Sequence, residues 1–123
     1  MPEKILIIED NKNDANMVKE LLESEGFKVD AANTGEEGLK KALEMKPDLV
    51  VLDLMLPDTD GFKVCEKLKK EQALKNTMVV VLTIKDSIDD ITKAFRVGAD
   101  DYVIKPAVTE FLVRKVKLYL GAR

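Results

Sequence analysis

Three stretches of the chain are apolar with almost no interruption: Lys4 to Ile8 after its first residue, Leu49 to Leu52, and Met78 to Leu82. A half-exposed strand would alternate polar and apolar side chains, so such runs read as strands buried on both faces, as in a parallel sheet. Phe27 to Ala31 and Tyr102 to Ile104 read as two shorter strands. Between the strands the apolar spacing becomes helical. Met17, Val18, Leu21 and Leu22 mark a first helix from about Asp14 to Ser24, after a turn over Asn11 to Asn13, and Gly26 stops it. Thr34, with Glu37 three residues on, forms a capping box for a second helix. Its buried face is Gly38, Leu39, Ala42 and Leu43, and it ends before Pro47. Asp60 caps a third helix, Gly61 to Lys70, with Phe62, Val64, Cys65 and Leu68 inward. Ser87, boxed with Asp90, opens a fourth that carries Ile88, Ile91, Ala94, Phe95 and Val97 and stops at Gly98. A fifth spans about Val108 to Leu120, where the cations Arg114, Lys115 and Lys117 suit the helix dipole.

Five strands alternating with five helices predict an α/β domain: a doubly wound, five-stranded parallel sheet with helices on both faces. With no internal repeat or linker, residues 1–123 read as one domain. The hydrophobic share of 46% is enough for a core. A net charge of -3 and a pI of about 5.1 weigh against direct nucleic-acid binding. No apolar run approaches the ~18 residues that span a bilayer, so no membrane partner is expected. The start, Met-Pro-Glu-Lys, leads straight into a strand, and no signal peptide is expected. Cys65 is the only cysteine, which allows no internal disulfide. It reads as core packing in a reducing, cytoplasmic setting. The chain has no histidine, which excludes a histidine triad, a histidine metal site and a phosphohistidine of its own.

The chemistry lies at the strand ends. The first strand runs out onto Glu9 and Asp10, the third onto Asp53, the fourth onto Thr83 and the fifth onto Lys105. Pro57 and Gly61 turn the chain after Asp53 into a loop. In a parallel sheet these ends share the carboxyl edge, where open α/β sheets bind ligands. Singly, each residue has an ordinary explanation as a loop Asp, a capping Thr or a solvated Lys. Together they crowd carboxylates that raise one another's pKa unless a cation intervenes. Oxygen donors without His or Cys select a hard cation, and Mg²⁺ uses one or two carboxylates with waters and phosphate. The lysine and threonine remain for anionic oxygens. A carboxylate nucleophile in that company suits formation of an aspartyl-phosphate.

Four motifs carry a family resemblance. They are Ile7-Ile-Glu-Asp-Asn11, Asp53-Leu-Met-Leu-Pro57 with Asp60-Gly61, Val81-Leu-Thr83, and Gly98-Ala-Asp-Asp-Tyr-Val-Ile-Lys-Pro106. In this order and spacing the chain resembles, over essentially its whole length, the receiver domains of two-component response regulators. The resemblance implies the flavodoxin-like strand order 2-1-3-4-5, shared by the chemotaxis receiver. It implies Asp53 as phosphoacceptor, with Mg²⁺ held by Asp10, by Asp53, by the Met55 carbonyl and by Glu9 through water. Lys105, in a cis peptide with Pro106, would pair with the phosphoryl group, Thr83 would hydrogen-bond it, and Tyr102 would be the coupled switch. The phosphoryl donor would be a histidine kinase or a histidine phosphotransfer protein. The domain would catalyse only its own phosphorylation and dephosphorylation. The surface of helix 4, strand 5 and helix 5 would control a downstream protein or an attached effector domain.

Asp100, Asp101 and Arg114 resemble dimerisation positions of regulators with a winged-helix effector, which adds a phosphorylation-dependent homodimer to the expected partners. Ile91 stands where a basic residue is common there, and the plain alternative is a solvated charged face. Two other positions depart from the family. Ile84 stands where a small residue is usual and is expected to restrict access to the site. Met55 places an apolar side chain where a polar one is common. Two readings from other classes remain. A haloacid-dehalogenase-like phosphohydrolase would want a second Asp at position 55. A receiver-fold interaction module that is never phosphorylated would typically have lost one of the acidic or basic groups, all of which are present here.

Overall fold

A computed structural model describes residues 2–106 and 109–121. The elements run β1 (Lys4–Ile8), α1 (Lys12–Ser24), β2 (Lys28–Ala32), α2 (Gly35–Met45), β3 (Leu49–Leu52) and α3 (Gly61–Lys70). A short 3₁₀ turn (Gln72–Leu74) leads to β4 (Met78–Thr83), α4 (Ile88–Arg96), β5 (Asp101–Ile104) and α5 (Thr109–Tyr119). The five strands form one parallel sheet in the order β2-β1-β3-β4-β5. This is the expected doubly wound architecture.

The unbroken apolar runs divide their side chains between two cores. Leu6, Ile8, Val50, Leu52, Val79 and Val81 face α2, α3 and α4, where they meet Ala42, Phe62, Val64, Cys65, Leu68 and Ala94. Ile5, Ile7, Leu49, Val51, Val80 and Leu82 face α1 and α5, where they meet Ala15, Val18, Leu22, Leu112 and Val116. Each such Val, Leu or Ile contributes about 1.5–3 kcal/mol when fully buried. Cys65 is a free, buried thiol whose burial pushes its pKa up to about 11, in keeping with a packing role.

Several boundaries shift from the sequence reading. Helix α1 begins at Lys12, because the Asn11 side chain accepts the Asp14 amide and caps it there. Strand β2 is displaced one residue, to Lys28–Ala32, with Lys4 paired to Lys28. Strand β4 includes Thr83, and β5 starts at Asp101. Helix α4 ends at Arg96, with Val97 as its cap. The expected start of the fifth helix, Val108, lies outside the described residues. Met17, Leu43, Ile88 and Phe95, assigned to buried faces, are exposed. The neighbouring elements leave these positions uncovered; α4 buries only Ala94 fully, and Ile88 is 80% exposed. The Glu37 carboxylate accepts the Asn33 amide and not that of Thr34, so the capping box closes one residue early.

Candidate functional site

The residues at the carboxyl edge are held by the sheet itself. The ladder of hydrogen bonds runs one step past the strands: the Asp53 amide donates to the Ile8 carbonyl at 2.9 Å, and the Lys105 amide to the Thr83 carbonyl at 2.8 Å. The Glu9 amide likewise donates to the Ala32 carbonyl at 2.9 Å. Backbone positions fixed in this way leave only side-chain rotation to bring Glu9, Asp53 and Lys105 together.

They do meet. The Lys105 ammonium donates to Asp53 Oδ2 at 2.9 Å, to Asp14 Oδ2 at 3.0 Å and to Glu9 Oε1. These use all three donors of an ammonium group. Glu9, Asp53 and Lys105 are mostly buried, with side chains 8%, 7% and 15% exposed. Burial lifts the Glu9 carboxyl above its ordinary range; the Lys105 hydrogen bond opposes this and the Asp53 charge adds to it. Burial works against the Lys105 charge, but its bonds to Glu9, Asp53 and Asp14 outweigh it and raise the pKa. The cluster therefore stays ionised at neutral pH on the lysine side. Three carboxylates around one ammonium leave an excess of negative charge. Asp14 was not among the expected site residues. It reaches the cluster from the first turn of α1, and an acid at the positive end of a helix beside Glu9-Asp10 was the available sequence signal.

Asp10 is not part of this cluster. It is exposed and lines an open groove of about 690 Å³ with Met55, Lys85 and Asp90. Met55 lies on the β3–α3 loop, where its amide donates to Asp53 Oδ1 at 3.0 Å. Its side chain is exposed. Among the described residues, no three Asp, Glu, His or Cys side chains are gathered as a ready-made metal cage.

Thr83 is fully buried, and its hydroxyl accepts the Lys85 amide at 3.4 Å. The Tyr102 hydroxyl donates to the Lys85 carbonyl at 2.7 Å. Lys85 thus carries a backbone contact to each of the two expected switch residues, a link no sequence spacing indicates. Tyr102 is half-buried against the α2–α3–α4 core, and burial, with the charges of Asp90, Asp53 and Asp86, pushes its pKa up to about 12. The Lys105-Pro106 peptide is cis. Ile84 is exposed and borders a cavity of about 290 Å³ that also takes in Asp14, Met17, Lys105 and Pro106.

The expected dimerisation acids are engaged within the chain. Asp100 accepts the Lys69 ammonium and the Val79 amide, and Asp101 pairs with Lys115 and Tyr119. Arg114 pairs with Glu110 on its own helix.

Fold and site together define a doubly wound domain with a buried aspartate, a lysine and a threonine on one sheet edge. The sequence model of the response regulator receiver domain matches residues 5–117, and the chain belongs to that family. Receiver domains of this family belong to two-component response regulators, and the fold and site described above are consistent with a phosphorylation-dependent switch. The chain is 36% identical over 117 residues to the transcriptional regulatory protein ResD of Bacillus subtilis, covering 95% of this chain and 48% of that protein. It is 39% identical over 120 residues to the alkaline phosphatase synthesis transcriptional regulatory protein PhoP of the same organism, covering 98% and 49%. The chain thus spans about half the length of the curated relatives it matches. Among solved structures it resembles the BeF3-activated receiver domain of DrrB, at 37% identity and a TM-score of 0.91, over 98% of this chain and 99% of that one. A CheY-like receiver domain from Methanospirillum hungatei gives 30% identity and a TM-score of 0.93, over 98% and 95%. Among the described residues no helix is long and apolar enough to cross a membrane.

Proposed function

We propose that Asp53 accepts a phosphoryl group from an external phosphohistidine, and that the α4–β5–α5 surface reports the event to a partner. The observation that carries this reading is the Asp53 carboxylate itself. It is buried at a strand end, with one oxygen on the Met55 amide and the other on Lys105. A carboxylate oxygen attacks phosphorus, the bond from phosphorus to the donor's imidazole nitrogen breaks, and its electron pair leaves with the imidazole. Lys105 offers a charge-assisted hydrogen bond to the new phosphoryl oxygens, and Thr83 offers its hydroxyl.

The donor set fits Mg²⁺. All candidate groups are oxygens, and the negative charge that Lys105 leaves uncancelled calls for a further cation. Asp10, Asp53 and the Met55 carbonyl would hold the ion, with Glu9 acting through water. When bound, Mg²⁺ supplies charge neutralisation for the phosphoryl oxygens. Mg²⁺ is expected to raise the melting temperature, since a ligand bound only by the folded state adds RT ln(1 + [L]/Kd). Asp10→Ala should remove most of that increment. Equal melts with and without millimolar Mg²⁺ would sink the metal assignment.

The switch rests on Thr83 and Tyr102. A phosphoryl group adds about -1.5 to -2 charges and strong acceptor oxygens. Drawing the Thr83 hydroxyl toward it releases the Lys85 amide that Thr83 now accepts. The Lys85 carbonyl holds Tyr102, so the β4–α4 loop and Tyr102 shift together. Thr83→Ala is expected to keep phosphate acceptance but to silence the NMR response of Tyr102 and α4 to beryllofluoride. Identical responses in wild type and variant would remove Thr83 as the coupling element.

ResD and PhoP are named transcriptional regulators and are about twice as long as this chain. An attached effector domain is therefore the partner we favour, with a histidine kinase or phosphotransfer protein as donor. The homodimer expected through Asp100 and Asp101 has less support, since both acids are committed inside the fold.

A further inference from the structure

The loop between β3 and α3 is closed on itself. The Gly61 amide donates to the Leu54 carbonyl at 3.1 Å, and Met55 bridges to Asp60. A Cβ at Gly61 would lie 2.4 Å from Leu54 Cα, so only glycine permits this closure. Closure fixes the shape of the loop but not its position over the sheet edge. Position depends on where the loop touches the rest of the molecule.

At its start the loop is tied to Asp53 by the Met55 amide, and at its far side it is tied to α2 by Asp58. Asp58 Oδ1 accepts the Gly35 amide at 2.8 Å and its Oδ2 accepts the Glu36 amide at 3.0 Å. The Glu36 amide, and then the Gly35 amide, hold the Asp58 carboxyl below its ordinary range. The first amides of a helix lack partners within it. Thr34 satisfies only the Glu37 amide, and Asp58 takes two of the others from across the chain. The seat is shaped for the loop, because a Cβ at Gly35 would stand 2.4 Å from the Thr59 methyl carbon Cγ2. The start of α2 is in turn tied to the acidic end of β1, where the Asn33 side-chain amide donates to the Glu9 carbonyl at 3.1 Å. A continuous set of contacts therefore runs from Glu9 through the start of α2 to the loop that bears Met55.

We propose that Asp58 is a positioning residue: by capping α2 from the β3–α3 loop, it sets where the Met55 carbonyl stands relative to Asp10 and Asp53. This rests on the Mg²⁺ reading above. Asp58 touches none of the reacting groups. Without it the closed loop keeps its internal bonds but can rock about its two ends, and the carbonyl donor is no longer held. Loss of a partner that orients a metal ligand typically weakens metal binding by about 10- to 100-fold.

The test is a Mg²⁺ titration of wild type, Asp58→Ala, Asp58→Asn and Thr34→Ala, followed by amide NMR shifts of the β3–α3 loop, with hydrogen exchange of the Gly35 and Glu36 amides. Asp58→Ala is expected to bind Mg²⁺ about 10-fold more weakly, with faster exchange at both amides. Asp58→Asn keeps one acceptor oxygen and should recover part of the affinity. Thr34→Ala removes the helix's own cap without touching the loop. It should lower the melting temperature yet leave Mg²⁺ affinity within about twofold of wild type. Wild-type affinity in Asp58→Ala would overturn the proposal. So would an equal loss in Thr34→Ala, which would reduce the effect to helix stability. A wild type that does not respond to Mg²⁺ would overturn the metal reading and this proposal with it, a result distinct from the other two because it involves no variant.

Discussion

Asp53→Ala is expected to leave the chain folded while removing its base-labile phosphoryl label altogether. The fold should survive because Lys105 keeps two of its three partners, Glu9 and Asp14. The Asp53 charge is one of the causes that hold the Glu9 carboxyl above its ordinary range, so its removal relieves a repulsion. Against this stands the loss of the acceptor for the Met55 amide, a hydrogen bond worth about 1 kcal/mol. The label should vanish because the neighbouring carboxylates are poor substitutes. Glu9 is buried with one oxygen on Lys105 and the other on the Asn11 amide. Asp14 is the stronger competitor, being more exposed, with its Oδ2 on Lys105. The measurement is hydroxylamine-sensitive labelling from a small phosphoryl donor, beside a melting curve for each protein. Undiminished label in a folded Asp53→Ala protein would show that the acceptor is misassigned, and peptide mapping would say whether Asp14 has taken its place.

Much of this site was legible because a parallel sheet converts sequence order into spatial order. Once Ile8, Leu52 and Ile104 are recognised as last residues of parallel strands in one sheet, the groups that follow them share one edge. Glu9, Asp53 and Lys105 needed no further information than strand ends supply. Asp14, Asn33 and Asp58 needed more. Asp14 reaches Lys105 across 91 residues of sequence, and its side chain enters the cluster from a helix turn and not from a strand end. Asp58 looks like an ordinary loop aspartate until its partners, 22 and 23 residues upstream, are known. The exposed positions Met17, Leu43, Ile88 and Phe95 fail for another reason. Apolar periodicity identifies a helix face, but it does not say how much of that face the neighbouring elements cover. In α4 only Ala94 is fully buried, which leaves Ile88 and Phe95 as an apolar surface on the element expected to report phosphorylation.

The lysine carries the second large effect. Lys105→Met is expected to lose both phosphoryl retention and stability, with the stability loss dependent on pH. The side chain is similar in length but leaves Glu9 and Asp53 buried without their cation. Removing one partner of a buried ion pair costs about 3–5 kcal/mol, against a total stability of about 5–15 kcal/mol for a domain. Without the lysine, burial and the Asp53 charge lift the Glu9 carboxyl further, since the bond that opposed them is gone. A carboxyl whose folded pKa exceeds its unfolded value favours the folded state when protonated. Its contribution is complete below the ordinary value of 4.5 and is lost as pH rises through the raised one. In wild type Lys105 limits that rise by bonding the ionised form. The variant's deficit relative to wild type should therefore be larger at pH ~7.5 than at pH ~5, because protonation of Glu9 becomes more favourable as pH falls. Mg²⁺ at neutral pH should also narrow the gap, since it supplies the missing positive charge to the same carboxylates. Urea denaturation at the two pH values, with and without Mg²⁺, measures all of this. A constant deficit at both pH values would assign the loss to packing of the lysine stem. No deficit at either would mean that the Glu9–Asp53–Lys105 cluster is not held in solution as it is here.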